Sequence, residues 1–214
     1  MATTVSALCT EIIAQGAFDL TSADVLTVLN RRHKKMVGKA RTYRKTVSAG
    51  PTVANQAEYT APADLVAALE LLVAGVTYGK ARRADKSRGA LDRLWLTGDG
   101  GIFYENASSA GVDQFGLYPV PAEAGLAIDV YGAFLPPDLL LNDSVPLYVD
   151  DDAVEGLKEG VYATLLRAPG EARQDLAGGH EAVFVAETEE LRLREKRRLR
   201  GNGPAQIRVQ GINA

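Results

Sequence analysis

The period of the apolar residues changes twice along this chain, near residue 50 and again near residue 150. Outside those points apolar residues recur every three or four positions, the spacing of helices with one buried face. Between them the runs are short, rich in Tyr, Phe, Val and Ile, and punctuated by Gly and Pro, which is the pattern of strands. The expected fold class is therefore α+β. N- and C-terminal helices form a helical bundle, which carries an inserted antiparallel β-rich module and ends in an extended C-terminal tail. The expected organisation is a helical part over 1–50, a β-rich insertion over 51–149, C-terminal helices over 150–200 and a tail over 201–214.

Val5, Leu8, Cys9, Ile12 and Ile13 predict a first helix over Val5 to Phe18. Thr21-Ser22-Ala23-Asp24 reads as a capping box, with Thr21 as N-cap and Asp24 at N3. The helix it opens carries Val25, Leu26, Leu29, Met36, Ala40 and Tyr43 along one stripe and is expected to run to about Val47. Thr52 to Tyr59 is strand-like, and Ala61-Pro62-Ala63-Asp64 is a corner. Leu69 to Val73 and Val76 to Lys80 pair as a hairpin around Ala74-Gly75. Ser87 to Leu94 is a short helix or an ordered connection, and Thr97 to Gly101 a turn. Ile102 to Glu105, Phe115 to Tyr118 and Leu126 to Phe134 are strands. Asp150, Asp151 and Asp152 sit where an N-cap and first-turn acids belong. Val154, Leu157, Val161, Leu165 and Ala168 continue at helical spacing, and a last helix spans about Glu171 to Arg200. Gly178-Gly179 is expected to weaken its middle. Beyond it, Gln206 to Ile212 alternates apolar and polar residues, a strand in search of a sheet edge.

Charge is the second constraint. The chain has 24 Lys+Arg and 27 Asp+Glu, for a net −3, but the charges are segregated. Leu94 to Leu157 holds 11 acidic residues and no Lys or Arg. Arg31 to Lys45 holds eight cations and no acid. Two further basic clusters lie in Lys80 to Arg93 and Arg192 to Arg200. Such segregation fits several solvated faces, a charge-complementary self-assembly surface, or a basic surface near nucleic acid.

Most catalytic constellations are missing. There is no GxSxG elbow, HExxH helix or CxxC pair. Gly75 to Ala81 is one residue short of a phosphate loop and has Ala81 where a magnesium-binding hydroxyl belongs. His33 reads as a helix-surface or packing residue and Cys9 as core. Asp150, Asp151 and Asp152, with Asp143, have the chemistry for a divalent cation, but capping is the simpler account. No cofactor, metal or catalytic residue is expected. One cysteine excludes a disulfide framework. The apolar run Leu65 to Val76 is too short to span a membrane. The opening residues lack the signs of a signal peptide, so a soluble intracellular protein with no membrane partner is expected.

An ordered set of motifs resembles the head-to-tail adaptor proteins of tailed bacteriophages, also called head-completion or connector proteins. The first is the basic helix from Leu29 to Met36, continuing through Ala40-Arg41-Thr42-Tyr43-Arg44. The second is Tyr59-Thr60-Ala61-Pro62-Ala63-Asp64-Leu65, similar to a Y-x-x-P-x-D-L lead into the β-rich middle. The third is Leu117-Tyr118-Pro119-Val120-Pro121, followed by Leu126 to Tyr131 and Pro136-Pro137-Asp138-Leu139. The fourth is Asp143-Ser144-Val145-Pro146, leading into the final helix pair.

The resemblance implies a structural virion protein at the head-tail junction, without enzymatic activity. Its copies form a ring, typically of twelve, under the portal protein. The ring extends the DNA channel and docks the tail or its stopper or nozzle protein. On that reading Arg194, Arg197, Arg198, Arg200, Ile207, Arg208, Val209 and Ile212 are expected to meet the portal or a neighbouring subunit. Asp150, Asp151 and Asp152 would face a basic neighbour. Arg31, Arg32, Lys34, Lys35, Arg41 and Arg44 would line the DNA channel or a subunit contact, with non-specific contacts to packaged DNA. The alternative is a nucleic-acid-binding module that uses the basic helix 31–45 for reading.

Overall fold

A computed structural model describes residues 4–16, 18–81, 101–108, 111–142, 147–168 and 173–201, with backbone alone at 107, 108, 200 and 201. The described residues fall into two compact units. Those up to Thr42 and from Pro137 onward form one; Tyr43 to Pro136 form the other. The expected Ser87–Leu94 element, most of the Thr97–Gly101 turn and the tail after Gly201 lie outside the described residues.

The first unit is helical: α1 (Val5–Gly16), α2 (Ser22–Ala40), α3 (Asp151–Leu165), a 3-10 turn (Gln174–Leu176) and α4 (Ala177–Gly201). The Thr21 capping box is complete. The Asp24 backbone N–H donates to the Thr21 hydroxyl at 3.3 Å, and the Asp24 carboxylate accepts from the Thr21 N–H at 3.0 Å. Asp150 caps α3 in the same way, accepting from the Ala153 N–H at 3.1 Å. The helices share one core, in which Leu8, Ile12, Leu29, Met36, Leu157, Val161 and Phe184 are buried. α3 and α4 approach closely because α3 presents Gly156 and Gly160. A Cβ at Gly156 would lie 2.4 Å from Glu187 Cβ, and one at Gly160 2.4 Å from a Phe184 ring carbon. Gly178 and Gly179 fall in the first turn of α4 rather than its middle, where lost helix propensity matters least.

α2 stops at Ala40, seven residues before the expected end at Val47. Arg41 takes the left-handed conformation (φ 62°), and its N–H donates to the Val37 carbonyl at 2.7 Å. Arg44–Pro51 then forms strand β1, so 43–50 belong with the sheet rather than with the N-terminal helices. Local chemistry accounts for the switch: Thr42, Tyr43, Thr46 and Val47 are β-branched or aromatic and suit a pleated surface. Tyr43 packs at the margin of the sheet core, with Lys45 Nζ 5.5 Å from its ring centroid. At the other end, 137–142 and 147–149 belong with the helices. Asn30 holds that return, donating to the Leu139 carbonyl at 3.1 Å and accepting from its N–H at 2.7 Å.

The second unit is one seven-stranded sheet: β1, β2 (Glu58–Thr60), β3 (Leu65–Val73), β4 (Val76–Lys80), β5 (Ile102–Ser108), β6 (Gly111–Tyr118) and β7 (Ala127–Phe134). The spatial order is β1-β7-β3-β4-β5-β6-β2. Every neighbouring pair is antiparallel except β4 and β5, which run parallel over Gly79↔Ile102 and Lys80↔Phe103. The expected antiparallel module is thus mixed. The expected hairpin forms with Val73 opposite Val76. Its two-residue turn has positive φ at both positions, 49° at Ala74 and 80° at Gly75, which matches the twist of the strands. Of the expected strand Thr52–Tyr59, only its end pairs. The preceding loop wraps the Tyr59 hydroxyl, which donates toward the Gln56 carbonyl at 3.1 Å and accepts from the Val53 N–H at 3.2 Å. Phe103, Phe115, Leu71, Ile128, Val130 and Phe134 are fully buried in the sheet core.

Candidate functional site

The residues singled out for contact divide into an acidic set, a basic helix and the last helix. The structure brings two of these sets together inside one chain. Arg194 NH1 lies 3.0 Å from Asp150 Oδ2 and 3.0 Å from Asp152 Oδ2. An acid and a base expected to serve separate partners therefore neutralise each other. Asp150 also caps α3, so the clasp ties the start of α3 to the middle of α4. Asp151 is exposed beside it. Arg197 is exposed, and exposed Arg198 reaches Glu195 at 3.5 Å. The side chain of Arg200, and Ile207, Arg208, Val209 and Ile212, lie outside the described residues, as does Asp143.

The basic segment is equally divided. Arg31 is exposed. Arg32 is buried, and its guanidinium meets both carboxylate oxygens of Glu181, NH1 at 3.0 Å and NH2 at 2.7 Å. Its Nε donates to the Thr164 hydroxyl at 2.7 Å. Lys34 pairs with Asp138 at 2.9 Å, Lys35 with Glu181 at 3.4 Å and Lys39 with Glu189. Arg41 is the C-cap of α2, and Arg44 opens β1. A single reading helix over 31–45 does not form: the helix stops at Ala40 and its best-placed arginine is committed to an internal ion pair.

Sequence reasoning missed the partners. Glu181 is 149 positions from Arg32 and carried no signal of its own. Arg32 holds its carboxyl below the usual carboxylate range, first through the hydrogen bond and then through its charge, with Lys35 adding to the effect and burial opposing it. Lys158 was also missed. It is buried, and its ammonium donates to Glu11 and Glu155, each at 2.7 Å. Burial disfavours its charge, but those two carboxylates outweigh it and raise the pKa. His180 pairs with Glu159 through Nδ1 and lies beside the Tyr162 ring.

His33 is fully buried on α2, its Nε2 hydrogen-bonded to the Leu147 carbonyl and its ring stacked over Tyr148. Burial lowers its pKa below 6.5; Lys34 adds to the fall, while the Leu147 carbonyl and Asp138 oppose it. The unfolded chain therefore takes up a proton at higher pH than the folded chain does. His33 contributes stability that is present above the unfolded value and lost as pH falls through the depressed folded value. The His33 ring resonance should titrate below the ordinary imidazole value, with the urea midpoint falling as pH drops from that value toward the ring's own. A ring that titrates at or above the ordinary imidazole value would remove this contribution.

Among the described residues no group of three His, Cys, Asp or Glu side chains is placed to hold a metal ion, and no helix is long and apolar enough to cross a membrane. Val183, Val185 and Leu193 of α4 are exposed at 45%, 41% and 42%. At about 100° per residue these three point to different sides of the helix, so they are ordinary singly exposed residues rather than one apolar patch. The quoted motifs have structural places in the fold. Tyr59 and Leu65 anchor the sheet core, Leu117 to Tyr131 covers the end of β6 and most of β7, and Leu139 is the residue clamped by Asn30.

The ordered motifs, seated in this fold, fit a structural phage adaptor. The chain matches the family described as SU10 adaptor protein over residues 3–208, which takes in every described element. It belongs to that family, a family of phage adaptors that are structural and generally non-enzymatic. No curated protein matches it.

Proposed function

We propose that the protein is a head-to-tail adaptor of the virion, located at the head-tail junction and assembled in the host cytoplasm. Its copies form a homo-oligomeric ring, twelve by analogy with the adaptors it resembles, beneath the portal protein. The ring extends the DNA channel and docks the tail, stopper or nozzle protein. The family match over 3–208 carries this reading. A head-to-tail ring is a heterologous contact that closes on itself. The exposed cations Arg197 and Arg198 and the alternating segment with Ile207, Val209 and Ile212 are the surfaces assigned to the portal or a neighbour. Exposed cations such as Arg31 would meet packaged DNA weakly and without sequence preference, since DNA must slide past them.

Native mass measurement and particle imaging test this reading, on the protein alone and mixed with the portal encoded beside its gene. A ring that forms on the portal is the expected result. Deleting Gly201 to Ala214 should leave circular dichroism unchanged and abolish docking. A monomer indifferent to the portal would overturn the adaptor role. Docking of the shortened chain at unchanged affinity would overturn the part assigned to the tail.

A further inference from the structure

Three cations of the helical unit, Arg32, Lys35 and Arg167, converge on the Glu181 carboxylate, and a fourth, Arg31, lines the same pocket. Arg31, Arg32 and Lys35 of α2, Thr164 and Arg167 at the end of α3, and Glu181 of α4 line an open pocket of about 270 Å³. The lining charge is four positive against one negative. Arg32 is fully engaged: its bidentate pair with Glu181 and its bond to Thr164 use all three guanidinium nitrogens. It also lies over the Phe184 ring, 5.0 Å from the centroid, so it is fixed from behind.

The outer cations are held differently. Lys35 and Arg167 stand 3.4 Å from Glu181, and their side chains are 55% and 52% exposed. Arg31 makes no ion pair with any described residue and faces the same pocket. A helix C-terminus can attract cations to its open carbonyls, but that does not explain this cluster. The carbonyls of Tyr162, Thr164 and Leu165 already accept from the N–H groups of Leu166, Arg167 and Ala168, at 2.9, 3.3 and 3.0 Å. Two long contacts and one unpaired guanidinium leave donors able to turn outward at little cost. The planar forks of Arg31 and Arg167 suit a tetrahedral oxyanion, with the Lys35 ammonium as a point charge beside them.

We propose that this pocket binds a phosphate-class oxyanion, either free or in a polynucleotide backbone. Arg31, Lys35 and Arg167 supply the contacts, and Arg32 with Glu181 forms the fixed floor. Glu181 opposes the anion electrostatically, so binding is weak and reversible. This proposal does not rest on the adaptor reading, and neither fails with the other.

The test is calorimetric titration of the full-length protein with inorganic phosphate at low ionic strength, with chloride as the matched control. The wild type should bind phosphate. The double variant Lys35→Gln/Arg167→Gln removes two half-exposed donors whose contacts with Glu181 are long. It should bind about tenfold or more weakly, the loss of roughly 1.4 kcal/mol or more. Glu181→Gln should bind several-fold more tightly, because the opposing charge is gone; a merely structural cluster would show no such gain. Circular dichroism confirms that each variant is folded. Absence of phosphate binding up to about 20 mM, an affinity far below that of ordinary anion sites, would overturn the proposal. So would binding that the double variant leaves unchanged. Random-sequence duplex DNA separates the sources. If the double variant loses affinity for phosphate and DNA alike, the anion is a backbone phosphate; if it loses only phosphate, the pocket serves a free anion.

Discussion

Phe184→Ala should destabilise the helical unit by about 3–5 kcal/mol, the usual range for removing a buried aromatic side chain. The ring is 1% exposed and belongs to the core shared by the helices. One side fits the space left by Gly160, and the other lies under Arg32 and Lys35, whose charged groups are 5.0 and 5.4 Å from its centroid. Truncation would open a cavity, loosen the α3–α4 contact and withdraw the support beneath a buried ion pair. Neighbours can collapse into a cavity only if they are free to move. Here a glycine has no side chain to offer, and Arg32 is held by Glu181 and Thr164. The loss should therefore lie toward the upper end of the range. Urea unfolding followed at the helical circular-dichroism signal measures it, and a loss below about 1 kcal/mol would mean that the site relaxes freely. Gly160→Ala is the complementary change. It keeps the ring and fills its space, and should cost about 1–3 kcal/mol by overpacking.

The second large effect is expected in the sheet. β3 is irregular near Ala68, where its register with β7 shifts between Ala68 and Glu70. Side chains from the neighbouring strands meet the backbone there. The Ala68 N–H donates to Glu105 Oε1 at 2.6 Å, and the Ala68 carbonyl accepts from Lys80 Nζ at 2.8 Å. Lys80 and Glu105 close the triangle with an ion pair at 2.6 Å. Glu105 is 16% exposed and Lys80 37%. Glu105→Ala should cost about 2–4 kcal/mol, because it leaves a buried N–H without an acceptor and a half-buried ammonium without its counter-ion. Glu105→Gln keeps an acceptor oxygen for Ala68 and should cost about half as much. Lys80→Met should cost least, about 1 kcal/mol, since water screens and replaces part of its contribution. The order Ala, Gln, Met is the test, read by denaturation together with hydrogen exchange at the Ala68 amide. Protection at that amide that survives Glu105→Ala would show that the backbone finds another partner.

Local chemistry was legible in the sequence wherever it was decisive. Thr21 and Asp24 announced a helix start through residues three apart, and the structure closes the capping box. Ala74-Gly75 announced a tight turn, and the backbone supplies the two positive φ angles. Asp150 announced a cap for the same reason. What was illegible depended on the rest of the fold. The stripe of α2 runs on through Tyr43 at helical spacing, so periodicity alone carried the helix to Val47; the sheet decides otherwise by offering β7 as a partner for Arg44 to Ser48. The parallel β4–β5 pair had no local sign, because parallel pairing is a property of topology. The charge segregation was real as arithmetic but misleading as a map of surfaces. Asp150 and Asp152 were assigned to one partner and Arg194 to another, yet they meet across α3 and α4. Arg32 looked like a surface cation because its helix is basic. Its burial follows from Glu181 and Phe184, which lie on an element that begins more than a hundred residues later.

The parallel pair has a mechanical consequence. On one side of it β1, β7, β3 and β4 form a ladder by antiparallel hydrogen bonds, and on the other β5, β6 and β2 form a second. Two residues on each strand are in register between them. Apolar contact in the shared core spans the junction, but such contact is non-directional and tolerates sliding. Lys80 and Glu105 are the directional link that reaches from β4 and β5 to the backbone of β3. Among the described residues the two ladders meet along a seam two residues long, with the Lys80–Glu105 ion pair as its rivet.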